Sequence, residues 1–339
     1  MDKRVTIKDV AKAAGVSPAT ISYVLSGKAN ISDETRKRVT DAVESLGYVP
    51  NLSARALVNN DSKLIGVVIP QTEPGSKLLL NNAFYSEIIS SIEYEARLLG
   101  YQIIISGMDA NESYFKTALQ RNLDGVIVIG AYSKDFYQDV KKTNMPIVTI
   151  DSYMEDHYFH SVTINDQYGG YVATKYLIEK GHRSIALFTG IIKEGGVVKK
   201  RFDGYADALK EFGIELDKAC VFQSGIDFKA GQEMAQRFAK LQKKPTAIFC
   251  TADIVAMGAI KALHSLGIHV PEDVSIIGFD NLSISSYTVP GLTTVQQDIS
   301  MKGKIAVKFL IESVADRSTP KQEEILPIHI VERESVRQI

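Results

Sequence analysis

Disulfide stapling is out of reach for this chain, because its 339 residues hold only two cysteines, Cys220 and Cys250. Neither sits at a metal-ligand spacing. Both read as core residues of a reducing compartment, so a cytoplasmic protein without metal or other cofactor is expected. No apolar run approaches the ~18–20 residues that span a bilayer. The N-terminus, Met1-Asp-Lys-Arg-Val-Thr-Ile-Lys, turns amphipathic at once and lacks an apolar signal core, which argues against secretion. Low-complexity tracts and short-period repeats are missing as well. Hydrophobic residues make up 45% and charged residues 23%, close to the usual values for soluble globular domains, and the length suits two or three of them. Strong net charge is also lacking, at −1 overall. The charge is unevenly placed, however. Residues 1–60 carry nine Lys/Arg against six Asp/Glu, leaving 30 against 34 in the remainder. A basic head on an acidic body fits a protein that brings only its head near phosphate.

The head reads as three short helices. Thr6 is a good N-cap with Asp9 three residues on, in a capping-box arrangement, and Ile7, Val10, Ala11 and Ala14 then share a face before Gly15. Ser17 caps the next helix, with Pro18 at its first position, where a missing N–H costs nothing. Ile21, Val24 and Leu25 face inward. Ser32 opens a third helix with Val39, Ala42, Val43 and Leu46 as its apolar stripe and Gly47 at its end. A helix, a tight turn at Gly15-Val16-Ser17, and a second helix with small outward residues is the order of a helix-turn-helix. Periodicity alone is equally compatible with a three-helix bundle whose outer face is solvated. Residues 50–61 form a linker able to become a short helix when something holds it.

From Ser62 the texture changes. Apolar strand-like runs at 64–69, 103–106, 125–129, 147–150, 162–165, 185–189, 247–250 and 274–279 alternate with amphipathic stretches at 86–99, 169–180, 202–212, 229–241 and 254–266. Short, nearly all-apolar strands separated by helices predict parallel sheets covered on both faces. Two such sets, about 64–160 and 161–290, predict two similar α/β lobes. Enzyme chemistry finds little support. Thr189-Gly190 with Gly195-Gly196 lacks both the lysine-serine of a P-loop and the spaced glycines of a dinucleotide fold. The six histidines are scattered, and His182 follows Gly181 at a turn suited to capping.

The wording of the head settles what periodicity leaves open. The run Val5-Thr-Ile-Lys-Asp-Val-Ala-Lys-Ala-Ala-Gly-Val-Ser-Pro-Ala-Thr-Ile-Ser-Tyr-Val-Leu-Ser26 resembles the headpiece of the lactose-repressor/galactose-repressor (LacI/GalR) family. The match continues through Thr35-Arg36, Val39, Leu46-Gly47-Tyr48-Val49-Pro50-Asn51, Ala54-Arg55 and Leu57. The resemblance implies a helix-turn-helix headpiece at 1–49, a hinge helix at 50–61 and a two-lobed, periplasmic-binding-protein-like core at 62–339. In that core the N-lobe is expected at about 62–160 plus 293–322, and the C-lobe at about 161–290 plus 325–339. It implies DNA contacts from Thr6, Ser17, Pro18, Ala19, Thr20, Ser22, Tyr23, Asn51, Ala54, Arg55 and Leu57. Leu57 is the expected wedge in the minor groove, since an apolar side chain can unstack a base step; packing against a dimer mate is its other reading. Tyr23 departs from the arginine that many members carry there, and tyrosine cannot make a bidentate bond to guanine.

Looser matches reach nearly to the C-terminus, among them Leu64-Ile-Gly-Val-Val-Ile-Pro70, Asp124-Gly-Val-Ile-Val-Ile-Gly130, Pro146-Ile-Val-Thr-Ile-Asp151, Gly181-His-Arg-Ser-Ile-Ala186, Ser275-Ile-Ile-Gly-Phe-Asp280 and Leu292-Thr-Thr-Val-Gln-Gln-Asp298. They imply a small effector held between the lobes by Asp151, Arg201, Asp280 and Gln297, with Phe84 and Phe228 as aromatic walls. Carboxylates with an arginine and an amide suit sugar or nucleoside hydroxyls; helix caps and salt bridges within one lobe, or core packing for the phenylalanines, are the alternative roles. Arg201 is expected to start a helix after a loop at 190–200. Lys193, Lys199 and Lys200 on that loop would favour a phosphorylated effector. Ala252 stands where several sugar-sensing members carry asparagine, and the long stretch 71–82 predicts a lid or a reshaped pocket. The implied protein is a homodimeric repressor of carbohydrate-utilisation genes that binds a pseudo-palindromic double-stranded operator and no membrane. Control by a partner protein such as a phosphorylated carrier is an alternative trigger. A solute-binding protein would fit the body alone, but not the head. The C-terminal stretch 331–339 has no apolar heptads, which argues against a helical tetramer tail.

Overall fold

The computed structural model describes residues 5–25, 31–48, 62–70, 82–108, 122–130, 136, 138, 141–153 and 158–339. The chain divides into two compact units, Met1–Lys63 and Leu64–Ile339.

The first unit contains α1 (Ile7–Ala14), α2 (Pro18–Leu25) and α3 (Asp33–Ser45). Its starts and stops follow local chemistry. The Asp9 carboxylate accepts from the Thr6 backbone N–H at 2.9 Å and from its hydroxyl at 2.6 Å, neutralising donors that no carbonyl reaches. Gly15 ends α1 at φ 63°, a left-handed cap that glycine adopts without a Cβ clash. Ser17 Oγ accepts from Thr20 N at 3.1 Å to open α2, and Ser32 Oγ from Thr35 N at 3.4 Å to open α3. Val10, Ile21 and Val39, one from each helix, are fully buried together. Leu46, expected on the buried stripe, is exposed because it lies past the last residue of α3 as its C-cap.

The second unit is built on two sheets. Among the described residues the first has the order β11-β5-β4-β3-β1-β2 and the second β12-β10-β9-β8-β6-β7. In chain order the strands are β1 (Leu64–Pro70), β2 (Gln102–Met108), β3 (Gly125–Ile129), β4 (Ile147–Ile150), β5 (His160–Ile164), β6 (Ile185–Gly190), β7 (Val221–Ser224), β8 (Ala247–Cys250), β9 (Ser275–Asp280), β10 (Thr293–Gln297), β11 (Glu323–Leu326) and β12 (Ile328–Val331). The helices are α4 (Ala83–Leu98), α5 (Asp166–Glu179), α6 (Val197–Glu211), α7 (Phe228–Ala239), α8 (Asp253–Ser265) and α9 (Ile299–Ala315). Pairing is parallel throughout except for β12, which runs antiparallel to β10. Every residue of β3, β4, β6, β8 and β9 is buried, as a parallel sheet covered on both faces requires.

The expected lobe boundaries need correction. β5 belongs to the first sheet, not to the C-lobe, because it pairs with β4. β10 belongs to the second sheet, not to the N-lobe, because it pairs with β9. β11, whose last residues fall in the expected C-lobe, pairs with β5 in the first sheet. The chain therefore crosses between lobes after Ile164, after Gln297 and between Leu326 and Ile328. Apolar runs mark strands but not the sheet each joins; hydrogen-bond register decides that. α9 packs on α4, β3, β4 and β5 and so returns to the first lobe. The helix at Arg201 also differs from expectation. α6 starts at Val197, with Gly196 as N-cap, so Lys199 and Lys200 are helical and Arg201 sits in its second turn.

Candidate functional site

In the first unit, the outward positions expected on the second helix are largely on its surface. Ser17, Pro18 and Ala19 are exposed, Tyr23 is 48% exposed, and Thr20 and Ser22 are half-buried. Thr6 is exposed at the start of α1. Ser17 Oγ and Thr20 Oγ1 lie 2.9 Å apart, so both hydroxyls serve the cap and sit at the exposed end of the helix. Small side chains there leave the helix surface open to close approach. Asn51, Ala54, Arg55 and Leu57 lie outside the described residues.

In the second unit, one cavity of about 90 Å³ forms at the C-terminal ends of both sheets. In each sheet the strand order reverses once, at β1/β3 and at β6/β8, and such reversal points open crevices for ligands. Phe84, Asp151, Arg201, Asp280 and Gln297 all line this cavity, each brought by a different element. Phe228 does not line it. It is 41% exposed at the start of α7, and Ile226 from the preceding loop takes the wall instead. The backbone turns left-handed at three strand ends on the cavity: Gly130 at φ 84°, Asp151 at φ 55° and Asp280 at φ 118°. Such conformations are costly for aspartate and cluster at functional sites.

Charge is dense here. Arg201 Nε donates to Asp166 Oδ1 at 2.6 Å, its Nη1 donates to the Thr251 carbonyl at 2.6 Å, and Nη1 lies 3.6 Å from Asp280 Oδ1. The guanidinium stacks on Phe279 at 3.6 Å from the ring centroid. Close packing of α5 and α6 fixes this arrangement. A Cβ at Gly170 would sit 2.1 Å from the Arg201 carbonyl oxygen, so only glycine lets the two helices approach that far. Gln297 Nε2 donates to Asp280 Oδ1 at 2.6 Å. Lys302 Nζ donates to Asp151 Oδ1 at 2.5 Å and to Gln297 Oε1. The Tyr153 hydroxyl lies against the Ile164 carbonyl at 2.6 Å and against the Asp166 carboxylate. Three carboxylates therefore face two cations. Burial pushes the Asp280 carboxyl up to about 7, against the pull of Arg201, with Asp253 adding to the rise. Asp253 is pushed up to about 6 by burial, opposed by hydrogen bonds from Ser285, Thr294 and Leu282 N. Burial raises Asp151 too, opposed chiefly by Lys302.

Two contacts cross the mouth of the cleft. Asn82 Nδ2 donates to the Ile226 carbonyl at 3.4 Å, and Glu87 Oε1 accepts from Ser283 N at 3.0 Å and Ser283 Oγ at 2.8 Å. Residues 71–81 of the expected lid lie outside the described residues, while Asn82 lines the cavity. Two of the three lysines expected to favour phosphate are turned elsewhere: Lys199 Nζ binds Asp203 at 2.7 Å and Lys200 sits over the Tyr153 ring at 4.5 Å, while Lys193 is exposed and does not line the cavity. His182 is buried, with Nδ1 2.9 Å from Thr246 Oγ1 and Nε2 3.2 Å from the Arg337 carbonyl. Burial lowers its pKa, which suits a structural bridge.

Sequence reasoning missed Lys302, Tyr85, Asp166 and Thr251. Lys302 had a signal, since it falls on the apolar stripe of α9 with Ile299, Ala306 and Leu310. Asp166 opens α5 after the Asn165 cap, and nothing local separates it from an ordinary helix-start carboxylate.

Comparison with known proteins agrees with this architecture. Residues 6–51 match the family model for bacterial regulatory proteins of the lacI family, and residues 174–336 match that for a periplasmic binding protein-like domain. An HTH-type transcriptional repressor PurR of Actinobacillus pleuropneumoniae serotype 3 is 33% identical over 98% of this chain and 99% of its own length. The ribose operon repressor of Haemophilus influenzae is 32% identical over 98% of each. Among solved structures, the lac repressor dimer bound to operator and the anti-inducer ONPF superposes with a TM-score of 0.85 at 26% identity, covering 99% of this chain and all of that one. A LacI-family regulator from Enterococcus faecium with bound ribose gives a TM-score of 0.73 at 26% identity, over 81% and 99%. No helix among the described residues is long and apolar enough to cross a membrane. With a DNA-binding headpiece joined to an effector-binding core, the chain belongs to the LacI family of bacterial transcriptional repressors.

Proposed function

We propose that this repressor acts as a homodimer on a pseudo-palindromic operator and senses one small, uncharged, hydroxyl-rich ligand in its inter-lobe cleft. The observation that carries the ligand class is the balance of charge on and directly behind the cavity: Asp151, Arg201 and Asp280 line it, and Asp166 and Lys302 stand behind them. Once Asp280 is ionised, three buried carboxylates face one guanidinium and one ammonium, so a further negative charge would meet net repulsion. Asp151 and Asp280 each spend one oxygen on an internal donor and keep the other for ligand hydroxyls. Among the described residues the cavity lining holds no lysine, and Lys199 and Lys200 are engaged by Asp203 and Tyr153. The Enterococcus faecium neighbour holds ribose, a polyhydroxylated ring of the class proposed.

Two headpieces on one two-fold axis match two half-sites, and a ligand that prefers one arrangement of the lobes shifts operator affinity by its differential binding. Phe228 is set aside as a ligand contact; Phe84 keeps that role. A thermal-shift screen of pentoses, hexoses, cellobiose, their phosphates and nucleobases tests the reading, since a true effector raises the melting temperature by mass action. Neutral monosaccharides should shift it and phosphates should not. A shift by phosphates alone would reverse the charge argument, and silence across the panel would favour a partner protein as the trigger. Binding-site selection with and without the hit then gives the operator, its symmetry and the sign of the response.

A further inference from the structure

Helix α9 carries a lysine where its own pattern calls for an apolar side chain. Ile299, Ala306, Val307 and Leu310 make its buried stripe, and Lys302 lies on that stripe with its side chain 0% exposed. A buried ammonium is tolerated only when its partners fully compensate the lost water. Lys302 Nζ has two, Asp151 Oδ1 at 2.5 Å and Gln297 Oε1, with the Phe84 ring centroid 6.0 Å away. Both polar partners line the cavity, and Lys302 does not. A donor-only ammonium on one side of Gln297 and the Asp280 carboxylate on the other leave its amide a single sensible orientation, oxygen toward Lys302 and Nε2 toward Asp280.

We propose that Lys302 is the positioning residue of the ligand cleft: its ammonium holds Asp151 as a carboxylate facing the cavity and locks the Gln297 amide so that Nε2 serves Asp280. A residue of the first lobe thereby decides which acceptor oxygens the second lobe has left to offer. The groups that face it are Asp151 at the end of β4, Gln297 and through it Asp280, and Phe84 from α4; the Arg201–Asp166 pair stands beyond, and Tyr85 lies near Asp151. The use of this arrangement for a ligand rests on the effector reading above; the arrangement itself can be tested without one.

The test is thermal unfolding of the full chain from pH 5 to pH 8.5 for the parent, Lys302→Met, Asp151→Asn and the double variant. Without Lys302 the Asp151 carboxyl is uncompensated. The unfolded chain then releases that proton at a lower pH than the folded chain, and stability falls as pH rises. Lys302→Met should melt about 10 °C below the parent at pH 8.5 and much closer to it at pH 5. The double variant, with neither charge, should regain most of the loss and show only the pH dependence that the parent already has through Asp280. An equal loss at every pH, or a double variant no better than the sum of the singles, would overturn the assignment and leave Lys302 a packing residue. If Lys302→Met does not fold, recovery of a folded double variant supports the assignment and an unfolded one overturns it. Failure of every ligand to bind the parent would count against the effector reading alone.

Discussion

Arg201 Nε lies 2.6 Å from Asp166 Oδ1, whereas the same guanidinium stands 3.6 Å from Asp280 Oδ1. The arginine is thus committed to the carboxylate at the start of α5 and only partly offsets the one at the end of β9. Asp280 is the group left short of positive charge, and burial pushes its carboxyl up to about 7.

A pH dependence with a definite sign follows. A carboxyl whose folded pKa stands above its unfolded value holds its proton longer in the folded state. Its contribution to stability is greatest below about 4 and declines as pH rises toward 7. Asp280→Asn removes that decline and balances the two cations against Asp151 and Asp166. The variant should melt above the parent at pH 8, and the difference should shrink toward pH 5. It should also bind effector poorly, because the amide replaces an ionised acceptor. In the parent, effector affinity should rise about tenfold between pH 6 and pH 8 as Asp280 ionises. Calorimetric titrations at both pH values check this, and a flat profile would remove Asp280 from the binding set.

Removing the other partner has the opposite consequence. Arg201→Met leaves three buried carboxylates with one ammonium, and should cost about 3–5 kcal/mol of core stability, read by chemical denaturation at pH 8. Arg201→Lys should not restore it. The native side chain reaches Asp166 through Nε and the Thr251 carbonyl through Nη1, a fork that a single ammonium cannot reproduce.

In the headpiece, stability and recognition should separate. Ser17→Ala removes the hydroxyl that accepts from Thr20 N and should cost about 1 kcal/mol of headpiece stability. Tyr23 is 48% exposed on the outer face of α2. Tyr23→Ala should change stability by about 0.5 kcal/mol or less, yet alter the base preferred at one position of each half-site. Melting curves beside binding-site selection distinguish the two effects. A Tyr23 variant with an unchanged selected site would assign that side chain to phosphate alone.

How much of this was legible beforehand depends on whether the signal was local. Caps at Thr6, Ser17 and Ser32 and the left-handed Gly15 could be read directly, because each interaction spans only a few residues. Asp151, Arg201, Asp280 and Gln297 came from family resemblance, and they converge on one cavity. Sheet membership of β5, β10 and β11 was illegible, since an apolar run looks the same in either lobe. The polar network behind the cavity was illegible for the same reason. Asp166 and Arg201 are 35 residues apart, and Asp151 and Lys302 are 151 apart. Only Lys302, a charge within an apolar helical stripe, announced itself locally. Phe228 shows the converse limit, an aromatic residue two positions from the one that forms the wall.

The contacts across the cleft mouth bear on how the lobes respond. Glu87 lies on the first-lobe helix α4, and Ser283 follows β9 of the second lobe. Ser283 donates twice to a single Glu87 oxygen. Ser283 is exposed and Glu87 half-buried, so the pair contributes modestly to overall stability, about 1 kcal/mol. Its leverage is on the balance between lobe arrangements, which differ by only a few kcal/mol in such two-lobed proteins. Glu87→Ala should leave the melting temperature nearly unchanged and weaken effector binding several-fold, mainly through faster dissociation, because the arrangement that encloses the ligand is less populated. Ser283→Ala, which keeps the backbone donor, should give a smaller change in the same direction. Stopped-flow dissociation of the bound effector from both variants separates the cases. Dissociation rates equal to the parent's would mean that the Glu87–Ser283 pair does not hold the cleft closed.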